Sequence, residues 1–340
     1  MPINADTPVS NMSHSMNNSC GLILDMRRHD DILVSVNCAV YNHAPYLRQC
    51  LDGFIMQKTD FCFEVIVHDD VSTDGSVEII KEYADKYPDI IKPIYEIENQ
   101  YSKHDGSVRR IMLNASSGKY IAMCEGDDYW IDPCKLQKQV DFMESHPDYG
   151  LCHTMFQSEP IRRITTQIPQ NEQDNYLVDL VQGRYRIGTL TVLYRKDTYN
   201  LLPFLWRNRK FLMGDYPQWI EFASISKIKY IPDCTGVYRV TSNSASHSTD
   251  IEKEIGFILS GYQCACYYND ALKLNLRLDK RRIYNPILKV AMMHRTTEVA
   301  DMYFKKAMME RALSLKGFIF FCATHCSGLY KLIDRLYRRL

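Results

Sequence analysis

The sequence predicts an α/β fold built on a mainly parallel sheet with right-handed crossovers. Three observations predict it. Apolar runs of strand length alternate with segments of helical periodicity from Asp31 to about Tyr149. The first run, DILVSVNCAVYN (Asp31 to Asn42), is nearly continuous, as a strand covered on both faces requires. Two acidic clusters each follow directly on such a run, the position where α/β sheets hold ligands.

The elements follow in order. After the first strand, Leu47, Cys50, Leu51, Phe54 and Ile55 keep helical spacing. FEVIVHDD is a second strand, and Asp74 or Ser76 can cap the helix SVEIIKEYADKYP. IIKPIYEI reads as a third strand, GSVRRIMLNASSG as a helix and KYIAMCEGDD as a fourth strand. Pro133 stands near the start of the helix KLQKQVDFMESH, where proline is favoured. Beyond Tyr149, YGLCHTMF, IGTLTVLYRK and KIKYIPDCTGVYRV read as strands and DYPQWIEFASIS as a helix. A polar loop, TSNSASHSTD, follows, and the chain is mostly helical from Ile251. Residues 1–30, polar and rich in Asn, Ser and Met, read as a disordered leader without a signal peptide.

Composition limits the functions available. A formal net charge of zero removes the basic excess of a nucleic-acid binder, so no nucleic-acid partner is expected. Cysteines lie inside apolar runs (Cys38 and Cys124 in strands, Cys50 in a helix). The pairs Cys264/Cys266 and Cys322/Cys326 lack the companions of a zinc site. Reduced core thiols and a cytoplasmic location are the expectation. No apolar run reaches the ~18 residues of a membrane span; the nearest is GFIFFCA, Gly317 to Ala323.

Asp69 and Asp70 end the second strand and lead into STDGS. A turn and helix cap would need one of them. Two fit a nucleotide pocket, where carboxylates accept from base N–H or ribose hydroxyls. Glu125, Gly126, Asp127 and Asp128 end the fourth strand. Two carboxylates there can converge on a hard cation, Mn²⁺ or Mg²⁺, and the glycine permits close backbone approach. A solvated acidic turn is the bland alternative. Arg109 and Arg110 lie between the clusters, and an arginine fork matches a phosphate, although one of the two should face solvent. Asp215, before a helix carrying Trp219 and Phe222, can be an N-cap, a general base, or both. Arg239, Ser244, Ser246 and His247, in the polar loop region, can fold over a diphosphate or form a plain surface loop.

Together these segments resemble the family 2 glycosyltransferases, which have the GT-A fold. VSVNCAVYNHAPYLRQCLDGF is similar to their opening strand and helix, and FEVIVHDDVSTDGS to their nucleotide-binding aspartate motif. GKYIAMCEGDDYWIDPCKLQKQVDF resembles their D-x-D segment, and GDYPQW the motif carrying the base. The resemblance covers about Asp31 to His247. It implies a GT-A domain over 31–250, with a nucleotide-sugar half at 31–130 and an acceptor half at 131–250, followed by a helical extension at 251–340. It implies nucleotide contacts at Asp69 and Asp70, with Ala39 and Tyr41 near the base. It implies metal binding at Asp127, an acidic neighbour at Asp128 and a general base at Asp215. The first D-x-D position is Glu125 here, a departure from the family's aspartate that lengthens the side chain by one methylene. The implied chemistry is inverting transfer from a nucleotide sugar, UDP being the commonest carrier, to a saccharide or lipid-linked acceptor in surface-polysaccharide assembly.

Two rival readings differ in class. A sugar-phosphate nucleotidyltransferase would carry a glycine-rich basic loop where AVYNHAPYL stands. A non-catalytic binding protein of the same fold draws support from Glu125 alone. The C-terminal segment LYKLIDRLYRRL, with apolar and basic sides, can lie at the inner face of a membrane or pack on the domain.

Overall fold

The computed structural model describes residues 32–159, 163–164, 176–207, 209–241, 243–244, 247–248 and 250–339. The leader expected at 1–30 lies outside them, as do part of the acceptor-side region, 160–162 and 165–175, and Ser246 of the polar loop.

The first four strands are β1 (Ile32–Val40), β2 (Cys62–Asp69), β3 (Ile91–Tyr95) and β4 (Tyr120–Met123). They are joined by helices α1 (Ala44–Ile55), α2 (Ser76–Lys86) and α3 (Ser107–Ala115). All four pair in parallel, with β1 between β2 and β4. There follow β5 (Tyr129–Trp130), α4 (Lys135–Ser145), β6 (Tyr149–Glu159), β7 (Arg163–Ile164), β8 (Leu193–Arg195) and β9 (Lys227–Arg239). The sheet order is β3-β2-β1-β4-β8-β6-β9-β5, with β7 attached to β6. β8 runs antiparallel to both β4 and β6, and β9 runs parallel to β6. Thus β1, β2, β3, β4, β6 and β9 share one direction, as expected of a mainly parallel sheet, and their carboxyl ends lie on one edge.

β4 shows how the sheet separates two cores. Tyr120 and Ala122 face a cluster with Val36, Cys38, Leu47 and Phe54. Ile121 and Met123, pointing the other way by the two-residue period, face Tyr194, Trp219, Phe222 and Tyr268. Every cysteine among the described residues is free.

The run IGTLTVLYRK forms a strand only at Leu193–Arg195, while Thr189–Thr191 makes a 3₁₀ turn. The reason lies in side chains that take the carbonyls a ladder would use. Trp130 Nε1 donates to Leu190 O (2.8 Å) and Gln139 Nε2 to Thr191 O (2.9 Å).

The remaining helices are α5 (Leu177–Val181), α6 (Lys196–Asn200), α7 (Tyr216–Ile225), α8 (Ile251–Ala271), α9 (Arg281–His294), α10 (Thr297–Met309), α11 (Leu315–His325) and α12 (Ser327–Arg339). α8 completes the second core through Cys264, Ala265 and Tyr268. α9, α11 and α12 share a smaller one made by Leu288, Met292, Phe320, Ala323 and Ile333. Among the described residues no helix is long and apolar enough to cross a membrane.

A buried carboxylate joins α7 to α8. Glu221 accepts from the backbone N–H of Phe204 (2.8 Å) and Leu205 (2.7 Å), and from Tyr268 Oη (2.6 Å). Burial pushes its pKa up, and these three donors oppose that shift. Removing the acceptor strands three donors, two of them on the backbone. Glu221→Ala should lower the unfolding free energy by about 3 kcal/mol and Tyr268→Phe by about 1 kcal/mol in urea titrations.

Candidate active site

β1 and β2 pair in register up to Val40 opposite Asp69, so the loops that follow them rise side by side from the carboxyl edge. Their polar side chains tie them together. Asn42 N donates to Ser72 Oγ (2.9 Å), and Thr73 N to Asn42 Oδ1 (2.8 Å). Asp74, expected to cap α2, accepts from Ser76 N at the start of that helix (3.1 Å), and both residues also secure the start of α1. Ala44 N donates to Asp74 Oδ2 (2.9 Å) and His43 N to Ser76 Oγ (3.0 Å), while Gly75 at φ +95° precedes α2. The in-register pairing brings α1's free N–H groups within reach of the second loop. Val71 sits at φ +67°, a left-handed conformation costly for a β-branched side chain.

Asp69 and Asp70 are both buried but differ in engagement. Asp70 accepts from Gln100 N (2.6 Å) and Tyr101 N (2.9 Å), which fixes the segment after β3. Asp69 Oδ2 accepts from Ser72 N (3.1 Å), while Oδ1 is buried and has no partner among the described residues. A buried carboxylate oxygen without a donor is costly and marks a place for one. Tyr41 is exposed beside these loops, and the Ala39 carbonyl accepts from Gly126 N (3.0 Å).

That last bond begins the second cluster. Gly126 has no room for a side chain: a Cβ would come within 2.9 Å of His43 Nδ1 and 3.0 Å of Val40 Cγ2. The close approach foreseen for this glycine is therefore made to His43 and β1. Asp128 turns inward and accepts from Arg239 N (2.8 Å) at the end of β9. Arg239 Nη1 donates to Asp127 O (2.7 Å), and its guanidinium lies 4.3 Å from the Tyr129 ring and 3.7 Å from Glu159 Oε2. Arg239 thus clamps the turn from one side. The Asp127 carboxylate has no hydrogen-bond or ion-pair partner among the described residues.

Carboxylates crowd this turn. Burial, then Asp127 and Asp215, push the Glu125 pKa up to about 7, against the pull of Arg109. Burial, followed by Asp127 and Glu125, raises Asp128 well above the carboxylate range. His43 was not singled out in the sequence, where nothing but its place after β1 marks it. Its Nδ1 is buried without a partner, and burial lowers its pKa although Asp127, Asp74 and Asp69 act the other way.

Asp215 faces this group from the other half of the sheet. It is the N-cap of α7, with Oδ1 accepting from Tyr216 N (2.7 Å) and Oδ2 from Thr189 Oγ1 (3.0 Å). Arg109 Nη2 donates to Gly214 O (2.9 Å), and the guanidinium packs 5.5 Å from the Trp206 ring. Its structural contact is therefore with the Asp215 loop. Arg110 pairs with Asp105 at 3.7 Å.

Among the described residues no three His, Cys, Asp or Glu side chains form a ready-made metal cage. The arrangement instead fits a hard cation held by one or two carboxylates and completed by water and phosphate oxygens. The mutual repulsion of Glu125, Asp127 and Asp128 is relieved by positive charge at that point.

The family model for glycosyl transferase family 2 matches residues 35–204. The chain belongs to that family. An uncharacterized protein of Mycobacterium tuberculosis is 34% identical over 223 residues, 63% of this glycosyltransferase family member and 61% of the mycobacterial protein. The chain thus spans about three fifths of that relative's length. An uncharacterized glycosyltransferase of Methanocaldococcus jannaschii is 37% identical over 239 residues, 66% of this chain and 76% of its own. EpsE of Bacillus subtilis, which carries a provisional glycosyltransferase name, is 28% identical across 82% of this chain and 95% of its own. In structure, a mannosyltransferase of Pyrobaculum calidifontis solved with GDP-Man and Mn²⁺ superposes with a TM-score of 0.53 at 17% identity, covering 89% of this chain and 82% of that one. The likeness shows the shared GT-A fold.

Glu125 gives a pH prediction. Its folded-state pKa lies above the ordinary 4.5, so its contribution to stability is fully present below about pH 4.5 and is lost as pH rises through about 7. In metal-free buffer, Glu125→Gln should remove about 1–3 kcal/mol of the stability loss between pH 5 and pH 8. Urea titrations at the two pH values check it.

Proposed function

We propose that this family 2 member transfers a sugar from a nucleotide-diphosphate donor to an acceptor hydroxyl with inversion at the anomeric carbon. The observation that carries the reading is the buried Oδ1 of Asp69, without a partner among the described residues, on the same edge as the Asp127 carboxylate, which likewise has none among them. Asp69 accepts from the base or ribose, Asp70 holds the pocket's wall, and Tyr41 and the Ala39 backbone border the base. Asp127, with Glu125 beside it, would hold Mn²⁺ or Mg²⁺. Bound there, such an ion offsets the charge of the departing diphosphate.

Asp215 serves as general base. Thr189 and the Tyr216 N–H fix the orientation of its carboxylate. As the acceptor oxygen bonds to the anomeric carbon, the bond from that carbon to the donor phosphate oxygen breaks, and its electron pair leaves with the nucleoside diphosphate. The acceptor proton passes to Asp215, late in the step, when the attacking oxygen has become acidic. The donor half would be 31–130 and the acceptor half 131–250. The EpsE likeness supports glycosyl transfer, and the resemblance to family 2 suggests a place in surface-polysaccharide assembly in the cytoplasm with a saccharide or lipid-linked acceptor.

The test is a panel of nucleotide sugars with purified protein and Mn²⁺ or Mg²⁺, scored by released nucleotide and product configuration. One donor should release nucleotide, and Asp127→Ala should abolish release. Asp215→Asn should cut turnover at least about 10²-fold while leaving nucleotide affinity intact. A retained configuration overturns the inverting step. Absence of both nucleotide release and nucleotide binding overturns the whole reading.

A further inference from the structure

The last two helices carry apolar side chains that the fold leaves exposed. α11 buries Gly317, Phe320, Ala323 and Thr324, and leaves Leu315 (77%), Phe318 (46%) and Ile319 exposed. These three share one helical stripe. α12 buries Ile333 and exposes Leu332 (54%) and Leu336 (50%), one turn apart. The helices are nonetheless docked. Arg295 donates to Ser327 Oγ (2.9 Å) and lies 4.6 Å from the Tyr330 ring, and Phe321 stacks on Phe304 at 3.9 Å. Phe318 touches the Phe304 ring at 6.2 Å between centroids, yet it, Leu315, Ile319, Leu332 and Leu336 keep a large share of their surface open to solvent.

Charge says what the outer faces meet. Residues 315–340 contain five basic residues, Lys316, Lys331, Arg335, Arg338 and Arg339, and one acid, Asp334. This segment is therefore +4 and the remaining 314 residues −4 in a chain of zero formal charge. Lys316, Lys331 and Arg335 are exposed beside the apolar residues. Apolar side chains flanked by long cationic ones match a lipid interface, with the apolar part at the acyl boundary and the cations at the headgroups.

We infer that α11 and α12 form a docking surface for an anionic lipid bilayer, on which the domain rests without crossing. The surface is separate from the candidate active site and stands whether or not the donor chemistry is as proposed.

The experiment is flotation of the full chain with phosphatidylcholine vesicles, with and without 30% phosphatidylglycerol. The chain should float with the anionic vesicles and remain behind with the neutral ones, and salt should weaken binding through screening. Leu332→Asp/Leu336→Asp should abolish flotation. Lys331→Glu/Arg335→Glu should weaken it by at least roughly fivefold per residue. Because all four positions are exposed, both variants should keep the wild-type circular dichroism. Should the aspartate variant misfold, the charge variant decides alone. Equal partition to neutral and anionic vesicles, no flotation, or flotation unchanged in the folded variants overturns the inference. So does a self-association of the wild type that the aspartate pair abolishes, which would make a second copy the occupant.

Discussion

Both acidic clusters of the candidate site hang from one strand. β1 pairs in parallel with β2 on one side and β4 on the other, and each pairing is in register to the carboxyl end. A slip of one residue would turn Cys38 and Val36 out of the core and carry Val40 away from Asp69. The register is held by apolar side chains with no room to move. Val34, Val36 and Cys38 are fully buried, and the polar partners on the other face, Ser35 and Glu64, bond each other at 2.7 Å. The hydrophobic effect thus sets the position of groups that are themselves polar.

The edge so formed concentrates negative charge in a poorly solvated place. Isolated, such an arrangement opposes folding, because burial and like charges both favour the protonated forms of Glu125 and Asp128. The fold offsets part of this through Arg239, whose backbone N–H and guanidinium serve Asp128 and Asp127 O in one contact. It leaves the Asp127 carboxylate outside that arrangement. Perturbed carboxylates gathered on a sheet edge are what ligand sites in α/β proteins use.

Much of this was legible in the sequence, and the boundary of legibility has a physical cause. The first four strands and both acidic clusters depend on neighbours within a few residues, so pattern alone locates them, whereas β8 is cut short by side chains of Trp130 and Gln139 far away in sequence. Asp215 as an N-cap is equally local. In sequence Arg239 reads as part of a polar loop that folds over a diphosphate or lies plainly on the surface, and in the structure its guanidinium meets the backbone of the acidic turn. Thr189, His43 and Glu221 drew no notice, because each matters through partners far away in sequence, as in the Glu221–Tyr268 bond across 47 residues. Asp74 shows both sides of this limit: its bond to Ser76 N at the start of α2 is local, and its bond to Ala44 N in the first turn of α1 depends on sheet pairing.

The contact between Asp128 and Arg239 spans 111 residues, and this separation has a consequence for how the protein is made. β1 to β4 can assemble from neighbouring segments while the chain is still emerging from the ribosome, since their loop closures are short. The acidic turn at the end of β4 acquires its clamp only once β9 has been synthesised and laid beside β6. The acidic turn is therefore clamped later than the β1–β2 edge is formed, and nascent chains shorter than about 240 residues carry the first strands without the clamped turn.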